Sequence, residues 1–223
     1  MLAIVLPIIS VLLGFLLVLI FKPSQQSNLK LLLAFSGAFL LSITVFDFLP
    51  EVYHYRGKHV GLFIMIGILL QIVLEFLSKG AEHGHMHLDK NSQAFPWLLF
   101  ISLSIHSLLE GMPIEAHHNL IYGVVIHKLP IAIILSTFFL ASQLSKVKIA
   151  FFLALFALMT PLGVVLSNQL DFIQTYYTQI SGLVIGIFLH ISTIILFESN
   201  AGHKFNLTKL ITIVMAVIIA YII

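Results

Sequence analysis

Apolar residues in this chain do not alternate with polar ones; they continue for whole helices at a time. A bilayer core of about 30 Å is crossed by about 20 apolar residues in a helix. Stretches of that length recur eight times, at approximately 2–21, 29–50, 60–78, 95–114, 119–141, 147–166, 177–197 and 207–223. The polar connections between them are short, the longest running from about 79 to 94, "KGAEHGHMHLDKNSQA". The pattern predicts an all-α polytopic membrane protein with eight transmembrane helices. The first stretch lacks a basic leader and an A-x-A cleavage site and is too long for the apolar part of a signal peptide, so it reads as a helix. No soluble domain is read at either end. The expected organisation is one transmembrane domain over 1–223, with a histidine-containing loop at about 79–94.

Composition sharpens this picture. Of 223 residues, 60% are hydrophobic and 9% charged, with a mean hydropathy of +1.10. A soluble core cannot bury so much apolar surface, so the excess faces lipid. There is no cysteine, which excludes a disulfide framework and a thiolate metal site. Eleven Lys plus Arg, thinly spread under a net charge of +2, form no basic stripe, and no nucleic-acid partner is expected. No phosphate-binding loop is present, so nothing points to ATP hydrolysis.

The same charges predict orientation, because positive residues favour cytoplasmic loops. With the N-terminus outside, cytoplasmic connections carry Lys22, Lys30, Lys79, Lys90, Lys146, Lys148, Lys204 and Lys209, and external ones only Arg56 and Lys58. Both termini are then outside the cytoplasm, in an integral protein of the cell (inner) membrane. The remaining cation, Lys128, falls within the fifth helix.

Segments 37–48, "GAFLLSITVFDF", and 186–197, "GIFLHISTIILF", share Gly37/Gly186, Phe39/Phe188, Leu40/Leu189, Thr44/Thr193 and Phe48/Phe197. They lie in helices 2 and 7, which run in opposite directions. This suggests an inverted repeat of helices 1–3 and 6–8, an arrangement common in transporters. Gly182 and Gly186 form a small-xxx-small face suited to packing within the chain or in a homodimer.

Ionisable residues inside spanning helices are costly and mark functional sites. In "SIHSLLEGMPI" (104–114) His106 and Glu110 are four apart, hence on one helix face. At about 1.5 Å per residue, His106 lies roughly 16 Å from one face of the membrane and His127 roughly 12 Å from the other. Both therefore sit near the midplane on neighbouring helices. His106, Glu110 and His127 can converge on one cation, and imidazole with carboxylate suits Zn²⁺, Fe²⁺, Mn²⁺ or Co²⁺ better than Mg²⁺. Pro113 and Pro130 are expected to kink helices 4 and 5 beside this cluster. His190, followed by Ser192 and Thr193, reads as a secondary pathway residue or a packing histidine. Asp47 and Glu51 end helix 2 and are placed to draw cations into an outer vestibule; Glu198 marks the inner end of helix 7 and an exit. His83, His85 and His87 form a tract of the kind that binds transition metals. His117 and His118 occupy the external turn between helices 4 and 5.

Together these residues resemble the ZIP family (Zrt-, Irt-like proteins) of divalent-metal transporters. The resemblance extends over the whole chain: eight helices, both ends outside, and a His-rich loop between helices 3 and 4. His106-Ser107-Leu108-Leu109-Glu110-Gly111 is similar to the family's His-Asn-x-x-Asp/Glu-Gly. His127-Lys128-Leu129-Pro130-Ile131-Ala132 is similar to His-Glu-x-Pro-His-Glu, and "FDFLPE" at 46–51 to His-Leu-Leu-Pro-Glu. The family builds two adjacent metal positions from helices 4 and 5. The resemblance implies that His106, Glu110 and His127 match ligands of the main position, with Ser107 in place of Asn. Lys128 replaces an acid or amide of the second position, Ile131 a His or Glu that serves the first, and Ala132 a further acid. The second position reads as abolished, with the Lys128 ammonium a tethered cation paired to Glu110 in place of a second ion.

The expected function is a divalent transition-metal permease, with Zn²⁺ influx as the direction the resemblance implies. The metal is cargo and no resident cofactor is expected. The partners are the metal ion, the lipid bilayer and a candidate second copy of the chain. A degenerate non-transporting homologue is the alternative raised by Lys128, Ile131 and Ala132; a metal sensor, the other alternative, would rest on His83, His85 and His87. An intramembrane metal-dependent hydrolase is the second alternative, although a His-Glu-x-x-His zincin motif is absent and no enzyme is expected.

Overall fold

The computed structural model describes residues 1–21, 26–54, 59–81, 94–198 and 207–223, with the side chains of 26–28 and 198 left aside. Among the described residues there are helices and no strands. They are α1 (Leu2–Phe21), α2 (Gln26–Ile43), α3 (Leu49–His54), α4 (Val60–Ser78), α5 (Trp97–Gly111), α6 (Leu120–Leu140), α7 (Lys146–Gln169), α8 (Asp171–Thr175), α9 (Tyr177–Glu198) and α10 (Leu207–Ile222). α2 continues into α3 through a π-helical turn, Thr44–Phe48. Among the described residues, six helical stretches are long and apolar enough to cross a membrane, Leu29–His54 counting as one. α5 and α10 are apolar but shorter, at 15 and 16 residues, or roughly 22–24 Å at the usual rise.

Proline chemistry explains two departures from the expected helices. Pro113 does not kink helix 4: α5 stops at Gly111 and Pro113 lies in the turns beyond it, where its missing N–H costs no helical bond. Pro130 does lie inside α6, as Pro161 does inside α7 and Pro7 inside α1. The π turn precedes Pro50, whose ring would crowd the carbonyl of Phe46 in a regular helix; the wider turn relieves that contact. Thr44 Oγ1 donates to the Leu40 carbonyl at 2.7 Å within it.

The helices pack in pairs whose register is fixed at small residues. Gly67 and Gly186 oppose each other, and a Cβ on either would collide with a backbone carbonyl across the contact, Leu183 or Ile64. With Gly182 against Val60 and His190 against Glu75, positions rise together along α4 and α9, so the two run parallel. Gly182 and Gly186 therefore serve packing within the chain. Gly14 lies against Leu129 and Ala132, and Ser10 Oγ donates to the Val125 carbonyl at 2.8 Å, making α1 and α6 parallel. Phe100 on Phe152, Gly111 on Gly163 and Glu115 on Asn168 align α5 with α7 in the same way. α10 covers α2.

α6 is the centre. It packs on α1, α2 and α7 and buries residues on every side, as expected of a helix apolar all round. The large apolar side chains of α1, α4 and α10, among them Leu16, Leu69 and Ile218, are exposed and form the surface that meets lipid.

Candidate metal site

Three helices meet where α6 carries its polar pair. α5 contributes His106, Ser107 and Glu110, α6 His127 and Lys128, and α7 Phe156 and Thr160; all seven are at most 2% exposed. The approach of α5 to α7 is set by Gly111 and Gly163, where an added Cβ would meet the carbonyls of Thr160 and Leu108. That proximity lets Thr160 Oγ1 donate to Glu110 Oε1 at 2.7 Å. The same oxygen accepts from Lys128 Nζ, which also donates to Ser107 Oγ at 3.1 Å and lies 4.7 Å above the Phe156 ring. The other carboxylate oxygen, Oε2, is 3.4 Å from His106 Nε2. His106 Nδ1 has no hydrogen-bond partner among the described residues. The His106 and His127 rings stand edge to face with centroids 6.3 Å apart.

The electrostatics are those of a buried ion pair. An isolated carboxylate at this depth would cost several kcal/mol; the Lys128 ammonium, a hydroxyl and an aromatic face offset that cost. Two imidazoles and a carboxylate are the donor types a Zn²⁺-like cation takes. Among the described residues, however, no three His, Asp or Glu side chains are gathered closely enough to hold a metal ion. In this conformation Lys128 takes the oxygen a cation would use.

A second polar cluster lies at the end of the bundle where α3 stops and α6 begins. A cavity of about 430 Å³ is lined there by Asp47, Glu51, His117, His118 and Asn119 among others. Glu51 Oε2 is 2.5 Å from His117 Nδ1, and Asn119 Nδ2 donates to Asp47 Oδ2 at 3.1 Å. The His117 ring lies edge-on to Phe48 and stacks on Tyr177, whose hydroxyl donates to the Pro113 carbonyl at 3.2 Å. Asp47 and Glu51 are thus brought together with both histidines of the turn.

His190 is separate from both clusters. Its Nε2 is 2.7 Å from Glu75 Oε2 across the α4–α9 contact, one turn beyond buried Gln71. His83, His85 and His87 lie outside the described residues, as does the side chain of Glu198.

Sequence reasoning missed Glu75, Thr160 and Phe156. Gln71 and Glu75 are four apart and share a helix face, a polar pair inside an apolar stretch that the sequence does display. Thr160 carries no charge and meets Glu110 from 50 residues away, so no local spacing exposes it. Lys209, counted above as a loop charge, is 7% exposed and donates to the Leu196 carbonyl at 2.6 Å.

The chain is 26% identical over 141 residues to zinc transporter ZIP1 of Danio rerio, a match covering 58% of this chain and 45% of that protein. It is 26% identical over 136 residues to zinc transporter ZIP1 of Takifugu rubripes, covering 56% and 44%. Protein zntD of Dictyostelium discoideum is 25% identical over 150 residues, covering 57% and 22%. The match spans less than half the length of each of these relatives. No family model matches the chain. The relatives support the ZIP family, the one the motifs resemble.

Proposed function

We propose that this protein is a divalent transition-metal permease that carries Zn²⁺ into the cytoplasm through a mid-membrane site formed by His106, Glu110 and His127. The observation that carries this reading is the fully buried cluster of imidazole, carboxylate and ammonium at the centre of an otherwise apolar helical protein. The relatives' names, zinc transporter ZIP1, supply the cargo; they speak for transport and against the intramembrane hydrolase. Eight crossings with both termini outside, in one transmembrane domain of the cell membrane, remain our reading of topology. The pairing of α4 with α9 and of α2 with α10, and of α1 with α6 and α5 with α7, supports the inverted repeat within it: exchanging helices 1–3 for 6–8 and 4 for 5 turns each pairing into the other. Rocking of such halves would expose the site to each side in turn.

Along this path Asp47 and Glu51 line the outer mouth, and His190 with Glu75 stands between the site and the inner surface. Glu198 and the His83, His85 and His87 tract receive the ion beyond them. Lys128, hydrogen-bonded to Ser107, fills the second metal position as a tethered cation, so the site binds one ion. The Lys128–Glu110 contact also favours a second reading, a non-transporting homologue in which the ammonium has replaced the cargo for good.

Zn²⁺ uptake into proteoliposomes separates the two. The permease reading predicts uptake by the wild-type chain and at least a tenfold loss in His106→Ala. Bound metal without uptake in either protein would leave the non-transporting homologue.

A further inference from the structure

We propose that the cavity between α3 and the α5–α6 turn is a second divalent-cation site, with His117 Nε2 as its principal donor and Glu51 as the residue that sets the His117 tautomer. This deepens the permease reading and rests on it: the site would hold the incoming ion before it reaches His106, Glu110 and His127.

His117 lines the cavity and is 5% exposed. Its Nδ1 is 2.5 Å from Glu51 Oε2, and a carboxylate at that distance can only accept. Nδ1 therefore carries a proton, and in the neutral ring Nε2 keeps its lone pair. Nε2 is enclosed and has no hydrogen-bond partner among the described residues, which is costly for a buried polar atom unless a ligand takes it. A carboxylate on one imidazole nitrogen with the other left as donor is the usual outer arrangement of a histidine metal ligand; it fixes the ring and raises its basicity.

The surroundings suit a cation. Asp47 and Glu51 line the cavity, and among the described residues neither Lys nor Arg does. Exposed His118, on the same wall, is a second nitrogen donor. Phe48 and Tyr177 clamp the His117 ring from two sides. With one or two protein donors and the remaining positions left to water, the site would hold its ion loosely. That suits a step that must hand the ion on. A Zn²⁺-like cation fits nitrogen donors with carboxylate; Mg²⁺ does not.

The test uses the full chain in detergent and counts Zn²⁺ at equilibrium. In a background with His106→Ala and His127→Ala, which disables the central site, and with His83, His85 and His87 also changed to Ala, the proposal predicts one Zn²⁺ retained per chain. Adding His117→Asn should remove it. Asn keeps an amide N–H where Nδ1 was, so the bond to Glu51 survives while the Nε2 donor is lost. Adding Glu51→Gln instead should weaken binding about 10–100-fold, the usual effect of losing such a partner. No Zn²⁺ bound in the central-site background, or equal binding with and without His117→Asn, overturns the proposal and makes Glu51–His117 a structural latch. Retained binding at His117 in a wild-type chain that takes up no Zn²⁺ would keep this site and reject the permease.

Discussion

Glu110 is the residue on which the account turns, because its carboxylate faces three partners of different kinds. Thr160 and Lys128 hold Oε1, and His106 approaches Oε2. A divalent cation that uses Glu110 must displace the ammonium or share the carboxylate with it. Lys128→Met removes the competitor but leaves a buried charge. Breaking a buried pair from one side costs roughly 3–5 kcal/mol, so the variant should melt well below wild type without metal and recover when Zn²⁺ is added. Thermal unfolding in detergent with and without Zn²⁺ reads this; a melting temperature that Zn²⁺ does not raise would show that metal does not use Glu110. Lys128→Asp should bind one Zn²⁺ more per chain than wild type, and unchanged stoichiometry would end the tethered-cation idea. At this scale the sequence was informative wherever charge met helical spacing: His106 with Glu110, and the height of His127. It was silent on Thr160 and Phe156, whose contribution exists only because α7 crosses α5.

Elements meet here through small residues, since helices in lipid gain nothing from hiding apolar side chains from one another and associate through close backbone packing. Gly186 sits against the Ile64 carbonyl. Gly186→Leu must push α9 from α4, and such overpacking costs about 1–3 kcal/mol. The control is Gly61→Ala, whose new Cβ would meet only the Tyr53 hydroxyl at an ordinary 3.5 Å. Melting temperatures should fall for the first and hold for the second; equal shifts would mean that the α4–α9 contact does not limit stability. The apolar stretches revealed nearly every long helix, because length and hydropathy are local properties. They did not reveal where α5 ends or that α8 exists. Pro113 stops a helix that hydropathy alone would continue, and the five residues of α8 are too short to leave a periodic signal. Gly37 and Gly186, aligned in the proposed repeat, do different work: Gly37 packs against Ile195 of α9 and Gly186 against α4.

For the whole molecule, the parallel pairings of α1 with α6, α4 with α9 and α5 with α7 are what eight alternating crossings require. The chain has no cysteine, so single cysteines report topology cleanly. With the N-terminus outside, a membrane-impermeant maleimide should label Gln174→Cys on intact cells and Gln143→Cys only after the membrane is opened. The reverse pattern would invert the orientation and with it the assignment of the Asp47–His117 cavity to the outside. Charge bias predicts the orientation, and this labelling tests it. The pairing of helices was not legible, because it is written in which small residues face each other.

The central claim is that one ion binds among His106, Glu110 and His127, beside a lysine that stands in for a second. Anomalous diffraction from crystals of the chain soaked in Cd²⁺ tests it most directly. The account predicts a single anomalous peak bounded by those three side chains, with Lys128 Nζ in the neighbouring position. Two peaks there, or none in a protein that takes up Zn²⁺, would contradict it.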